Sequence, residues 1–91
     1  GAGGVEAPAP TQRVTPLNEL VGRIASVNGP LRFVVIDFPL GRLPQVEQPM
    51  AVYRQGQKVA ELRVTGPSNG TNIAADIVAG QAATGDEVRE N

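Results

Sequence analysis

Met50-Ala51-Val52-Tyr53-Arg54-Gln55-Gly56-Gln57-Lys58-Val59-Ala60-Glu61-Leu62-Arg63-Val64-Thr65 reads as a β-hairpin. In its second half Ala60, Leu62 and Val64 alternate with Glu61, Arg63 and Thr65, the period-2 pattern of a strand with one face in a core and the other in water. Gln55-Gly56 falls where a two-residue turn belongs, and Gly56 can take a positive φ without a Cβ clash. Such a turn sets Tyr53 opposite Lys58 and Val52 opposite Val59.

The flanking sequence repeats the theme of short apolar runs closed by turn residues. Upstream, Leu20 to Val27 reads as a strand ended by Asn28-Gly29-Pro30, although Leu17, Leu20, Val21 and Ile24 also match a helical spacing with Thr15 as N-cap. Gly22 in mid-helix argues against the helix, which leaves a short turn over Pro16 to Glu19 and then the strand. Arg32 to Phe38 is apolar on both faces apart from Asp37, as in a strand central to the core, and Pro39 ends it. Residues 39–49, with Pro39, Pro44 and Pro49, form the longest irregular connection, where binding residues are expected. Downstream, Gly66 to Gly70 reads as a turn, Asn72 to Ala79 as a fifth strand and Glu87 to Glu90 as a short closing one. The expected fold is all-β: a single five- to six-stranded antiparallel barrel of SH3-like size, or a strongly curved sheet, over residues 17–91. Residues 1–16, rich in Pro, Gly and Ala, are expected to be a flexible tether.

Composition restricts the chemistry. The 91 residues include no His, Cys or Trp, so the commonest general base, the soft metal ligands, disulfides and thiolate chemistry are all missing. Aromatics make up only 3%, and the core must be built mainly from Val, Ile, Leu and Ala. A domain of about seventy residues buries only about 60% of its unfolded surface, so little room is left for a deep pocket. Net charge is −1, with +3 over residues 13–63 and −3 over residues 64–91, too mild an asymmetry for a polyanion site. No run of residues is long and apolar enough to span a bilayer as a helix.

Each motif with chemical content has a simpler reading. Gly80 to Asp86 has the glycine spacing of a phosphate loop, but Asp86 stands where a lysine is required and its carboxylate would repel phosphate. Asp37, Glu61 and Asp76 lie on separate strands with no liganding loop, so they read as strand-end hydrogen-bond acceptors and a solvent-facing carboxylate. Ser26, Ser68 and Lys58 do not make a nucleophilic pair, because Lys58 opens an exposed strand. Asn69-Gly70-Thr71 matches a glycosylation acceptor and is already explained as turn chemistry. No catalytic residue, metal ligand or cofactor is expected. Phe33 and Phe38 are expected in the core, and Tyr53 is the one ring suited to surface recognition.

The phrases Val21-Gly22-Arg23-Ile24-Ala25-Ser26-Val27-Asn28, Phe33-Val34-Val35-Ile36-Asp37, Val52-Tyr53-Arg54-Gln55-Gly56 and Gly85-Asp86-Glu87-Val88 resemble small β-barrel modules of uncharacterised bacterial exported and envelope proteins. More distantly they are similar to the C-terminal barrel of flagellar assembly protein T. The resemblance covers about residues 20 to 90 and implies an extracytoplasmic, non-enzymatic assembly or interaction domain. The start of the chain has the composition of a tether following a cleaved export signal, so a periplasmic or envelope-tethered protein, a lipoprotein candidate, is expected. Its candidate interaction surface is Tyr53, Arg54, Arg42 and Leu43, its partner another protein or envelope component, with no small-molecule substrate. The alternative is a nucleic-acid-binding small barrel using Arg23, Arg32, Arg54 and Arg63.

Overall fold

A computed structural model of the chain describes residues 20–91. The tether expected over 1–16 and the turn over Pro16 to Glu19 lie outside the described residues. Six strands follow one another: β1 (Val21–Asn28), β2 (Phe33–Asp37), β3 (Pro49–Arg54), β4 (Gln57–Asn69), β5 (Asn72–Gly80) and β6 (Glu87–Glu90). They close into a barrel in the order β1-β2-β5-β4-β3-β6, with every pair antiparallel. The meander β3-β4-β5 has β6 beside its first strand and β2 beside its last, giving two overlapping Greek keys. Closure by the four-residue β6 satisfies the free edges of β1 and β3, the groups that would otherwise template pairing with another chain.

Strand alternation fills the barrel. Ile24, Val34, Ile36, Met50, Val52, Ala60, Leu62, Val64, Ile73, Ala75, Ile77 and Val88 point inward and form one buried cluster. Ala51 has the outward parity and is buried nonetheless, a small side chain between its ladder partners Glu61 and Arg89. Phe38 and Leu20 fill the end of the barrel where β1 begins and β2 stops. Gly22 makes this possible: a Cβ there would lie 2.8 Å from the Phe38 ring and 2.7 Å from the Asp37 carbonyl oxygen. The glycine that argued against a helix therefore admits the largest buried side chain of the core.

Three sequence expectations need correction. Val52 stands opposite Ala60, not Val59, because the ladder shifts by one residue between Val52 and Tyr53; Tyr53 does face Lys58. Val59 is the extra residue of that bulge, which explains how it and Ala60 both turn toward the core. Gly66 to Gly70 is not a turn: β4 runs on to Asn69, and Thr65-Gly66-Pro67 is taken up as an irregularity between Val64 and Ser68. Proline lacks a donor, and such an irregularity is where a ladder tolerates it. The chain reverses only at Gly70-Thr71, where Gly70 has φ +65° as the first central residue of a hairpin turn. Phe33 is half-buried rather than core, because the inward parity of β2 belongs to Val34, Ile36 and then Phe38.

Candidate interaction surface

Tyr53 and Arg54 sit at the end of β3 that leads into the Gln55-Gly56 turn. The Tyr53 ring is half-buried, with Lys58 beside it on β4 and Glu87 beside it on β6. A surface hollow of about 340 Å³ opens there, lined by Tyr53, Gly56, Glu87 and Arg89. Of these, the Arg89 Nε donates to Glu87 Oε2 at 2.7 Å.

Arg54 is committed to Asp86. Its Nε donates to Asp86 Oδ1 at 3.0 Å and its Nη2 to Asp86 Oδ2 at 2.9 Å, a bidentate fork. The Ala83 amide adds a 2.8 Å bond to Oδ2, and the Asp86 amide returns one to the Ala83 carbonyl at 3.1 Å. Asp86 is only 6% exposed, so these bonds replace its hydration and fold the 81–86 segment over the barrel end. The hydrogen bond from Arg54 holds the Asp86 carboxyl below the usual carboxylate range, opposed by burial and assisted by the Ala83 amide. The same bond raises the Arg54 guanidinium. Nothing in the spacing of Arg54 and Asp86, 32 residues apart, announces the pair. The one available signal is an aspartate that fails the phosphate-loop pattern and so calls for another partner.

Arg42 and Leu43 lie at the opposite end of β3, in the connection from β2. Arg42 is exposed, and Leu43 is half-buried and packed on the core. Five residues of strand separate this connection from Arg54, about 15–20 Å, so the structure does not bring the four candidate residues together. The connection is well fastened: Gly41 N donates to Phe38 O at 2.9 Å, Glu47 N to Val64 O at 2.7 Å and Val64 N to Gln48 O at 3.0 Å. With Phe38 and Leu43 as its apolar anchors, Leu40 and Val46 are left facing water, 77% and 57% exposed. Sequence reading placed binding in this connection and did not single out those two residues.

The remaining charged candidates are engaged individually. Arg23 donates to the Gly85 carbonyl at 3.0 Å and Arg32 to the Gly80 carbonyl at 3.2 Å, while Arg63 stands 3.5 Å from Asp76 and 3.7 Å from Glu47. With Arg54 on Asp86, the four arginines of the nucleic-acid reading are distributed around the barrel and each is tied to a protein oxygen. Asp37 accepts from Thr71 Oγ1 at 2.6 Å and Glu61 faces Lys58 Nζ at 2.7 Å, so the three carboxylates Asp37, Glu61 and Asp76 have separate partners. No protein-family model, curated protein or solved structure matches this chain.

Proposed function

We propose that this chain is a non-enzymatic protein-interaction module of the bacterial cell envelope that presents its 38–48 connection to a partner protein. The observation that carries the reading is the pair Leu40 and Val46, 77% and 57% exposed on a segment otherwise bonded to the barrel. Ordered apolar groups in water are what an interface core is made from, and a fastened loop loses little entropy on binding. The closed barrel supports the same reading by elimination of a rival mode. With β1 and β3 both paired to β6, no long free edge remains among the described residues for a partner strand, so recognition falls to connections and outer faces. The envelope setting is supported by the resemblance to exported barrel modules and by the tether-like composition of residues 1–16.

The test is site-specific photo-crosslinking in bacterial cells, with the photoreactive residue at position 40 or, as control, at exposed Ala25 on β1. A discrete protein adduct from position 40 that is missing at position 25 is expected. Equal patterns at both positions, or none at position 40, would reject the surface. Recovery of the native gene product in the cytoplasmic fraction would reject the envelope setting.

A further inference from the structure

The barrel end remote from the 38–48 connection carries a second set of exposed groups. There the turn Gly29-Pro30-Leu31-Arg32 joins β1 to β2, and residues 81–86 lead from β5 to β6. A hollow of about 210 Å³ lies between them, lined by Val27, Gly29, Arg32, Ile77, Gln81 and Ala82. Ile77 belongs to the core and Val27 and Ala82 pack against it, so one wall of the hollow is apolar and fixed by the barrel, while Gly29, Arg32 and Gln81 make the rest of its lining polar. Ile77 N donates to the Arg32 carbonyl at 2.9 Å, which places Leu31 and Val78, the next residue outward on each chain, at the same rim. Both are uncovered, at 71% and 52% exposure.

Arg32 is the charged group of this hollow. The turn holds its backbone at φ +59°, with Arg32 N donating to Gly29 O at 3.1 Å and Leu31 N to Asn28 Oδ1 at 3.0 Å. Its Nη1 is steadied by the Gly80 carbonyl at 3.2 Å. Among the described residues Arg32 makes no ion pair, in contrast to Arg54 and Arg63. A guanidinium carries five N–H donors, so one carbonyl leaves capacity for an anion.

We propose that this hollow captures the C-terminal residue of a partner polypeptide, its apolar side chain between Val27, Ile77 and Ala82 and its α-carboxylate on Arg32. The size fits one side chain, being below the roughly 300–1,000 Å³ of sites for drug-sized ligands. The chemistry selects a chain end: an internal Asp or Glu brings a carboxylate without an apolar group, whereas a C-terminal Val or Leu carries both on one Cα. Leu31 and Val78 then cover the preceding residue. This surface lies at the other end of the barrel from Leu40 and Val46, and the loss of a crosslink at position 40 leaves it untouched.

The experiment titrates the full chain with N-acetyl-Ala-Leu as free acid and as C-terminal amide, following methyl resonances of Val27, Ile77 and Ala82 by two-dimensional NMR. The free acid is expected to shift all three, to bind about tenfold or more tightly than the amide, and to weaken with added salt. Arg32→Gln is expected to abolish the preference for the acid and Arg32→Lys to retain part of it. Ala82→Leu, which fills the hollow and leaves the Arg32 contact to Gly80 intact, is expected to abolish binding; it carries the test should Arg32→Gln fail to fold. Equal affinity for acid and amide, shifts that persist in Ala82→Leu, or no shift at any of the three methyl groups would overturn the proposal.

Discussion

Asp86 links three parts of the chain: its carboxylate accepts from Arg54 at the end of β3 and from the Ala83 amide in its own loop, and its backbone carbonyl accepts from Ile24 N on β1 at 2.9 Å. Because Arg54 holds the folded-state carboxyl below its ordinary value, the unfolded chain binds the proton more readily. The contribution of Asp86 is therefore complete above the unfolded value, about pH 4, and disappears as the pH falls from there through the folded value. Asp86→Asn is expected to lower stability at pH 7 by about 1–3 kcal/mol and to flatten the acid limb of the stability curve, measured by urea unfolding between pH 7 and pH 3. Gly80 gives a second residue-scale expectation. At φ +77° a Cβ there would run into the Val59 carbonyl oxygen and come within 2.8 Å of Ala60 Cα. Gly80→Ala is expected to cost more than about 2 kcal/mol, combining left-handed strain with overpacking, and thermal melting would show a fall of at least about 8 °C. Neither role was legible in the sequence, since Gly80 and Asp86 matched a loop pattern whose mechanism failed and their true neighbours are distant in the chain.

At the scale of elements the β3-β4 hairpin was the most legible part, and its one misread rung is instructive. Local chemistry placed the turn: Gln55 and Gly56 have φ +54° and +81°, both left-handed, as a type I′ turn requires. It did not place the bulge at Val59, which exists so that both Val59 and Ala60 contact the core while Tyr53 still faces Lys58. Gln55 is a poor occupant of a left-handed position, where Asn is better tolerated. Gln55→Asn is expected to stabilise by about 0.5 kcal/mol, visible as a rise of about 2–4 °C in Tm with the ladder amides unchanged in NMR. β1 carries a comparable irregularity between Ile24 and Ser26, which shifts the inward parity so that Ile24 and Val27 both reach the interior.

For the whole molecule, closure is the property on which the rest depends. β6 contributes one buried side chain, Val88, yet pairs Val21–Arg23 of β1 on one side and Met50–Tyr53 of β3 on the other. A chain ending after Asp86 is expected to expose both edges, to form concentration-dependent oligomers in size-exclusion chromatography, and to lose amide-exchange protection at residues 21–23 and 50–53. A monomer that keeps that protection would contradict the role given to β6. The sequence alone determined that the chain is all-β, where most strands begin and end, and which face of β4 is buried, because turn residues and side-chain alternation act over a few positions. Folding in three dimensions determined the rest: the strand order, closure, the Arg54–Asp86 clasp, the separation of Tyr53 and Arg54 from Arg42 and Leu43, and the hollow beside Arg32. Each of these joins segments far apart along the chain. Their contact follows from the register of a closed ladder, which no local pattern of residues specifies.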